Sequence, residues 1–308
     1  MNTLKILVTG ANGFLGRSLL ALEGEVEWIG CGRRTDVRSA PYRQVELTDR
    51  AAVAALVADT KPDWVINTAA MTNVDQCEED EIAARRANVG IVENLVEACG
   101  DANVGLLQIS TDYVFDGESG PYVEEAQTKP LSRYGQLKLE SEALLAGLQR
   151  AVVVRTLWLY GYVPATGANF TTWLLQALAD GDAVRVFDDQ WGNPTYIHDL
   201  AQALVGLCRE EARGLLHMGG STFMTRYDLA LELAVFFGLD GGLIQSVPTR
   251  EAGLRAVRPL RSGLCTNALQ EVLGRRPLSF AEGMEQLASD RHFQRDFPQF
   301  AQYRGSNG

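Results

Sequence analysis

Residues 8–16 read VTGANGFLG and place Gly10, Gly13 and Gly16 directly after an apolar segment. That segment, LKILVTG, predicts a strand, and GFLGRSLLALE predicts the helix that follows it. Glycine allows a tight turn and lets a pyrophosphate approach the helix N-terminus, where free amides favour an anion. Because glycine-rich turns also occur without a ligand, the rest of the chain has to support a cofactor site.

The alternation of strand and helix patterns continues beyond this turn. In order, the chain shows the strand VEWIGCG, a short strand around Val45, the helix DRAAVAALVADT with Asp49 as N-cap, the strand PDWVINTAA, the helix DEIAARRANVGIVENLVEACG closed by Gly100, and the strand VGLLQIS. Short apolar strands alternating with helices are typical of a doubly wound parallel sheet with both faces covered. We therefore predict an α/β fold of the Rossmann type.

Two lobes are predicted from the change of pattern near residue 160. The helix LSRYGQLKLESEALLAGL and the strand AVVVRTLW complete the predicted sheet, after which loops rich in Gly, Pro and Asn separate shorter elements. Residues 1–160 are assigned to an NADP-binding Rossmann domain, and residues 161–308 mainly to a smaller α/β C-terminal substrate-binding lobe. Segments around 190–218 are candidates to return to the main sheet.

Composition narrows the class of protein. The 308 residues are 46% hydrophobic and 22% charged, which is typical of a folded globular chain. The net charge of -11 argues against binding to nucleic acid. Neither a membrane-spanning run nor a signal-peptide pattern is present, so no membrane association is expected. Five scattered cysteines without a C-x-x-C pair predict no metal site and favour a cytoplasmic setting.

The end of the second strand bears on the choice of cofactor. The segment GCGRRTD places Arg33 and Arg34 where an NAD site usually has an acidic residue, and the nearest acid, Asp36, comes later. The planar guanidinium suits a phosphate dianion, so the sequence favours NADP(H). The alternative is that both arginines are solvated surface residues.

A tyrosine and a lysine supply candidate chemistry. The segment SRYGQLK puts Tyr134 and Lys138 on one face of a helix. A nearby ammonium is expected to lower the pKa of a phenol from about 10, which would let tyrosine exchange a proton with a carbonyl or alcohol. The fifth strand ends in ISTDYVFDG, and we expect Thr111 to hydrogen-bond the reacting oxygen opposite Tyr134.

An ordered set of motifs resembles one known family over nearly the whole chain. TGANGFLG, STDYVFDG, KPLSRYGQLKLESE, VRTLWLYG, NPTYIHDLA and RPLRSGL together resemble the extended short-chain dehydrogenase/reductases, and within them the dTDP-4-dehydrorhamnose reductase family. The resemblance implies NADPH-dependent reduction of the C4 keto group of a nucleotide-linked 4-keto-6-deoxyhexose. It also implies that Thr111, Tyr134 and Lys138 form the catalytic trio.

The expected binding residues form two sets. The cofactor set comprises Gly10, Asn12, Gly13, Phe14, Leu15, Gly16, Arg33, Arg34, Ala69, Ala70, Tyr134 and Lys138. The substrate set comprises Thr72, Val74, Thr111, Asp112, Tyr113, Tyr134, Trp158, Asn169 and Arg258. An acidic protein needs a local cation beside an anionic substrate, and RAVRPLRSGL supplies Arg255, Arg258 and Arg261. Arg258 is chosen for the diphosphate because it begins the family-like RPLRSGL.

Some positions depart from the family pattern. Met71, Ala126 and Cys265 replace more usual residues, and the loop 162–168 is longer than is typical. None belongs to the trio, but several lie near the expected sugar pocket, so the identity of the sugar stays open.

Two other functions remain open at this stage. One is an epimerase or dehydratase of the same superfamily, which would retain NAD. The other is a non-catalytic regulatory subunit resembling that of methionine adenosyltransferase. A homodimer is compatible with the sequence, which does not itself identify the oligomer.

Overall fold

The structure is a computed structural model that describes residues 3–34 and 40–303. The strands of the first half are β1 (Leu4–Thr9), β2 (Val26–Gly32), β3 (Tyr42–Gln44), β4 (Trp64–Asn67), β5 (Gly105–Thr111) and β6 (Ala151–Thr156). The later strands are β7 (Leu159–Tyr160), β8 (Val184–Phe187), β9 (Trp191–Gly192), β10 (Thr195–Tyr196), β11 (Gly214–Met218), β12 (Met224–Thr225) and β13 (Ile244–Val247).

Helices connect these strands and cover the sheet. They are α1 (Phe14–Leu20), α2 (Arg50–Thr60), α3 (Val74–Glu79), α4 (Glu81–Arg85), α5 (Ile91–Ala102), α6 (Arg133–Ala143), α7 (Phe170–Ala179), α8 (Ile197–Arg209), α9 (Arg226–Phe236), α10 (Asn267–Leu273), α11 (Phe280–Ser289) and α12 (Arg291–Asp296). Within the described residues, no helix is both long and apolar enough to span a bilayer.

A seven-stranded parallel sheet forms the centre of the molecule, in the order β11-β6-β5-β4-β1-β2-β3. Helices α1 and α8 pack together on one face, and α2 and α5 pack together on the other. This arrangement confirms the predicted doubly wound α/β fold. The strand order reverses between β1 and β4, and in such sheets the crevice at that reversal receives the ligand.

Several local predictions are confirmed and others are wrong. Asp49 caps α2, because its side chain accepts a hydrogen bond from the backbone amide of Ala52. The third strand lies just before Val45 instead of around it. The long helix contains a π-helical turn at Arg86–Gly90 and is closed by Asn103, with φ 54°, instead of by Gly100. Asparagine tolerates this left-handed conformation, so the helix runs past the glycine.

The sequence suggested that β6 completes the sheet, but β6 is not the edge strand. The strand β11 pairs with β6 and forms the edge, while α8 packs into the same apolar core as α1. Residues 197–218 therefore come back to the sheet after the chain has left it. Of residues 190–218, α8 and β11 lie with the main sheet, whereas β9 and β10 join small two-stranded sheets.

A second apolar core lies outside the main sheet and is built mainly by α7, α9, α11 and α12. It is tied to the end of β5 by backbone hydrogen bonds between two loops: Arg261 N donates to Gly117 O at 2.8 Å, and Tyr122 N donates to Gly263 O at 2.7 Å. These bonds hold the loop that carries Arg258 beside the carboxyl edge of the sheet.

Candidate active site

The three glycines of the first turn differ in what surrounds them. Gly10 has φ +63°, and a Cβ there would lie 2.8 Å from the backbone nitrogen of Ala69. A Cβ on Gly16 would lie 2.4 Å from the carbonyl oxygen of Gly10, so this glycine lets α1 pack closely on the turn. Gly13 has only that same carbonyl oxygen near its would-be Cβ, at 3.2 Å, and it lines an open cleft.

A cleft of about 720 Å³ lies at the reversal of strand order. Seven residues of the predicted cofactor set line it, namely Gly10, Asn12, Gly13, Arg33, Arg34, Ala69 and Ala70. Phe14, Leu15 and Gly16 do not line it, because Leu15 and Gly16 are buried and Phe14 packs against the core. A predicted contact from these three residues is thus limited to the backbone at the start of α1.

The rim of this cleft is rich in arginine. The backbone oxygen of Arg34 accepts a hydrogen bond from Asn12 Nδ2 at 3.1 Å, and both Arg33 and Arg34 are exposed. Arg86, which sequence reasoning missed, lines the same cleft and donates to Thr48 Oγ1 at 2.8 Å. Three guanidinium groups around one cleft fit a nucleotide that carries an additional phosphate.

One acidic residue also lines the cleft. Hydrogen bonds from Thr48 lower the pKa of Glu46, so this carboxylate is charged at neutral pH. Asp36, the acid noted after Arg34, lies outside the described residues. Among the described residues that line the cleft, the formal charge is positive, because three arginines stand against one carboxylate.

The catalytic trio predicted from the sequence is brought together at the end of β5. Ser132 caps α6 by accepting a hydrogen bond from Gly135 N at 3.2 Å. A Cβ on Gly135 would lie 2.2 Å from the carbonyl oxygen of Tyr113, so glycine is required for α6 to sit this close to the strand end. Thr111 ends β5, and its side chain is near enough to Tyr134 to lower the pKa of the phenol slightly.

The protonation states differ from the expectation. Burial raises the pKa of Tyr134 well above its usual value, and the nearby Asp112 raises it further. Lys138 is buried, its Nζ donates to the carbonyl oxygen of Ile109 at 2.5 Å, and burial lowers its pKa to about 8. The predicted lowering of the tyrosine pKa by Lys138 is therefore not found. A phenol that stays protonated at neutral pH is suited to donating a proton.

Asp112 and Tyr113 follow directly on Thr111. Asp112 is 2% exposed, accepts a hydrogen bond from Ser262 Oγ, and has its pKa raised to about 6 by burial. The ring of Tyr113 lies edge-on to Tyr134 with centroids 5.7 Å apart. Asp112 thus joins the strand end to the second lobe, while Tyr113 forms part of the wall beside the phenol.

Trp158 lies at the junction of the two lobes in an unusual conformation. Its φ of 45° is rare for a bulky residue and marks strain of the kind found at functional sites. The guanidinium of Arg226 lies 4.1 Å above its ring, and Arg226 Nε donates to Gln190 Oε1 at 2.8 Å. In the part of the chain that the structure describes, no carboxylate forms an ion pair with Arg226.

Arg258 is paired with an acid that sequence reasoning did not single out. Its Nη2 donates to Asp75 Oδ2 at 2.7 Å, and Asp75 also accepts a hydrogen bond from Ala256 N. The other terminal nitrogen, Nη1, is buried without a hydrogen-bond partner. An orphaned charged donor of this kind is costly unless a ligand satisfies it.

The remaining predicted substrate residues occupy different surroundings. Thr72 is exposed, and Val74 begins α3, one residue before Asp75. Asn169 caps α7 with its Oδ1, and its Nδ2 donates to Gly161 O at 2.8 Å. The structure therefore gives the amide of Asn169 a structural role, and its predicted sugar contact stays a prediction.

The positions that depart from the family pattern are partly accounted for. Met71 lines the cofactor cleft, and its backbone nitrogen donates a hydrogen bond to Asn88 Oδ1 at 2.8 Å. Cys265 Sγ donates to Pro121 O at 3.7 Å in the loop contact described above. Among residues 3–34 and 40–303, no group of three His, Cys, Asp or Glu side chains is placed to hold a metal ion.

The residues that sequence reasoning missed differ in how clearly the sequence pointed to them. Asp75 stands in the motif MTNVD, where a charge partner for Arg258 could have been suspected. The sequence around Arg226 carries no functional motif. Its importance is visible only in the structure, where α9 begins at Arg226 and its guanidinium lies over Trp158. Two further residues could not be found from sequence, because their partners lie on other elements: Glu142 is paired with Arg155, and Ser262 donates to Asp112.

Curated relatives cover most of the chain. It is 37% identical over 268 residues to a dTDP-4-keto-6-deoxy-D-glucose reductase of Streptomyces niveus, covering 86% of this chain and 90% of the relative. It is 32% identical to a dTDP-4-dehydrorhamnose reductase of Aggregatibacter actinomycetemcomitans, covering 92% and 98%. It is also 32% identical to methionine adenosyltransferase 2 subunit beta of Xenopus tropicalis, covering 87% and 82%.

Solved structures show the same fold. A dTDP-4-dehydrorhamnose reductase of Clostridium acetobutylicum aligns with a TM-score of 0.82 at 34% identity, covering 92% of this chain and 98% of that one. The Bacillus anthracis dTDP-4-dehydrorhamnose reductase in complex with NADP aligns with a TM-score of 0.82 at 27% identity, with the same coverage.

A family model described as the RmlD substrate binding domain matches residues 4–292, which is nearly the whole described chain. The match spans both the glycine turn and the loop that carries Arg258, so both lobes are included. The resemblance drawn from the motifs is confirmed: this chain belongs to the RmlD substrate-binding family, with dTDP-4-dehydrorhamnose reductases among its relatives.

Proposed function

We propose that this protein is an NADPH-dependent reductase of the C4 keto group of a nucleotide-linked 4-keto-6-deoxyhexose, with dTDP as the nucleotide. The observation that carries the proposal is the position of Tyr134. Its protonated phenol lies beside Thr111 at the carboxyl edge of the sheet, and its ring packs in one cluster with Met71, which lines the arginine-rimmed cleft. The curated relatives from Streptomyces and Aggregatibacter are named as reductases of such sugars.

The cleft supports NADP(H) as the cofactor. The glycine turn accommodates a diphosphate, and Arg33 and Arg34, with Arg86, supply cations for the additional phosphate. NADPH, when bound, supplies the hydride for the keto carbon. In this proposal Lys138, whose Nζ donates to the carbonyl oxygen of Ile109 near the end of β5, hydrogen-bonds the nicotinamide ribose.

The proton for the reduction comes from Tyr134. Thr111 orients the keto oxygen, and the phenol donates its proton to that oxygen as the carbonyl becomes an alcohol. The raised pKa keeps the phenol protonated, and Lys138, with a pKa of about 8, stabilises the phenolate left after transfer. The product is the hydroxyl sugar, and the phenolate regains its proton from solvent.

The nucleotide diphosphate is held by the second lobe in this proposal. Arg258 presents an unpartnered buried Nη1, and Arg226 presents a guanidinium without an ion pair in the described chain. The pKa of Arg226 is lowered by burial, and Arg258 is among the nearby charges that lower it. A diphosphate between the two groups would relieve that repulsion and satisfy the orphaned donor.

The two alternatives are less well supported. A dehydratase or epimerase would retain NAD, and the arginines at the end of β2 favour a cofactor with an additional phosphate instead. A regulatory function has one specific observation in its favour, the 32% identity to the Xenopus subunit. The complete trio of Thr111, Tyr134 and Lys138 at the strand end supports a reductase over that function.

The decisive experiment is NADPH oxidation with a panel of dTDP-linked 4-keto-6-deoxy sugars that differ in stereochemistry. We expect oxidation with at least one of them and no oxidation with the corresponding 4-hydroxy sugars. If NADPH binds but no keto sugar is reduced, the reductase proposal fails. Stimulation of a methionine adenosyltransferase by the same preparation would then favour the regulatory function.

Further parts of the proposal concern organisation and setting. We propose a division near residue 160 into a cofactor lobe and a substrate lobe, with residues 197–218 returning to the first. We also propose a cytoplasmic setting, since the five cysteines are free and NADPH is the reductant. The assembly that we propose is a homodimer. Light scattering of the purified chain measures the assembly.

A further inference from the structure

A buried ion pair lies directly behind the catalytic trio. Glu142 and Arg155 form a two-pronged contact, with Arg155 Nη2 donating to Glu142 Oε2 at 2.7 Å and Arg155 Nε donating to Oε1 at 2.9 Å. The two side chains are 9% and 4% exposed. Replacing a buried pair of this kind by apolar residues is often neutral or stabilising, so its presence calls for a reason other than stability.

Glu142 shares a helix face with the catalytic residues. Tyr134, Lys138 and Glu142 follow one another at intervals of four in α6, so they lie one above another along the helix. Glu142 is the nearby charge that raises the pKa of Lys138 against the lowering by burial. Its carboxylate therefore favours the charged form of the lysine.

The same carboxylate also binds the strand that carries Thr111. Ser110 Oγ donates to Glu142 Oε1, and Ser110 is the residue directly before Thr111 in β5. Arg155 lies in β6 opposite Ser110 in the sheet register. Through one side chain, α6 is thus connected to both strands that form this part of the edge.

The groups around this carboxylate leave its charge balanced mainly by Arg155. His217 contacts Arg155 Nη1 at 3.4 Å, and burial together with Arg155 lowers its pKa to about 3, so the imidazole is neutral. Asp112 and Cys77 raise the pKa of Tyr134, but neither contributes to the pKa of Lys138.

We propose that Glu142 is a positioning residue for the reaction: it keeps Lys138 protonated and holds the strand end carrying Thr111 against α6. The inference rests on the proposed function for the role of the trio. It goes beyond that function by assigning a role to a residue that touches neither cofactor nor sugar. Its consequence is that the alkaline limit of the enzyme is set by Lys138 with Glu142, not by Tyr134.

The test compares Glu142→Gln with Glu140→Gln. Glu140 is on the same helix and is half-exposed, with its carboxylate 3.0 Å from Arg85. NADPH affinity is measured by fluorescence titration, and kcat by NADPH oxidation, each as a function of pH. For Glu142→Gln we expect the alkaline loss of both to move to lower pH by about one pH unit, since an opposite charge at short range has an effect of this size. For Glu140→Gln we expect no movement.

A second variant covers the case in which Glu142→Gln fails to fold because Arg155 is left unpaired. The double variant Glu142→Gln with Arg155→Gln removes both charges. Because the loss of Arg155 also removes a nearby cation, we expect the alkaline limb to move in the same direction by a smaller amount. An alkaline limb identical to that of the wild type in a folded Glu142 variant overturns the proposal.

A third variant separates the two roles proposed for Glu142, its charge near Lys138 and its link to the strand that carries Thr111. Ser110→Ala keeps the carboxylate and removes its link to the strand, so we expect a lower kcat with the alkaline limb unmoved. Unchanged kcat overturns the positioning part. The NADPH titration uses no sugar, so it tests Lys138 and Glu142 even if the proposed sugar substrate is wrong.

Discussion

Arg258 and Asp75 form an ion pair 2.7 Å long between segments that are 183 residues apart in the chain. The pair uses only one terminal nitrogen of the guanidinium and leaves the other buried without a partner. Asp75 therefore holds the arginine in place instead of neutralising all its donors. An anion that reaches Nη1 would find a cation whose orientation is already determined.

Arg258→Ala should raise the KM for the nucleotide sugar by about 10- to 100-fold, the scale of one hydrogen bond to a charged group at about 1.5–3 kcal/mol. The increase should become smaller at high salt, and NADPH affinity should not change. The control is Arg255→Ala, since Arg255 lies on the same loop, is mostly exposed and is paired with Glu79. Steady-state kinetics at two salt concentrations measure the effect. Equal KM values for the two variants would remove Arg258 from the site.

Tyr134→Phe should lower kcat by about 100- to 10,000-fold, because it removes the proton donor. The ring is retained, so NADPH affinity and the edge-on packing against Tyr113 should be preserved. Stopped-flow measurement of NADPH oxidation, with fluorescence titration of the cofactor, separates the two effects. A variant with nearly full kcat on its true substrate would contradict the proposed proton transfer.

Replacing Arg33 and Arg34 together by alanine should weaken NADPH binding much more than NADH binding. Each charge-assisted bond to the additional phosphate is worth about 1.5–3 kcal/mol. The matched control is Arg43→Ala, because Arg43 is exposed on the neighbouring β3 and is not among the residues lining the cleft. Titration with both cofactors gives the ratio. An equal loss for NADH and NADPH would return the pair to the role of surface charges.

Asp112→Asn should stabilise the fold at neutral pH. Because the pKa of Asp112 is raised from 3.8 to about 6, the folded chain retains a proton that the unfolded chain releases between these values. Stability therefore falls as pH rises through this interval, and the full loss above it is about 3 kcal/mol. Urea unfolding at about pH 7.5 should show the gain, and at about pH 4 the gain should disappear.

The control for Asp112→Asn has the opposite sign. Asp116 lies four residues further on, and a hydrogen bond from Tyr122 lowers its pKa. Asp116→Asn should therefore destabilise the fold at neutral pH, with a difference that shrinks on acidification. If both variants changed stability in the same direction at neutral pH, the assigned protonation of Asp112 would be wrong.

Arg155→Met should destabilise the fold by about 3–5 kcal/mol, because it leaves the buried carboxylate of Glu142 without its cation. Arg185→Ala, which breaks an exposed contact of 3.8 Å with Glu251, should cost at most about 1 kcal/mol. Chemical denaturation of both variants gives the comparison. A loss at Arg155 no larger than that at Arg185 would show that the pair contributes little.

The sequence by itself determined the elements whose signals are local. The glycine turn, the N-cap Asp49 and the alternation of apolar strands with helices depend on neighbouring residues, so they predicted the Rossmann architecture and the cofactor cleft. The spacing of Tyr134 and Lys138 placed both on one face of α6 for the same reason. The boundary at Asn103 was missed because a glycine three residues earlier gave an equally good local signal.

Only the tertiary structure decided the properties that depend on burial and on distant partners. The return of β11 to the sheet edge, the pairing of Arg258 with Asp75 and the placement of Arg226 over Trp158 join residues far apart in the chain. The pKa of Tyr134 rises because burial removes solvent from the phenol, whereas helix spacing alone suggested a lower value. Desolvation and long-range contacts have no signature in a short window of sequence, so the charge states of this site follow from the folded chain.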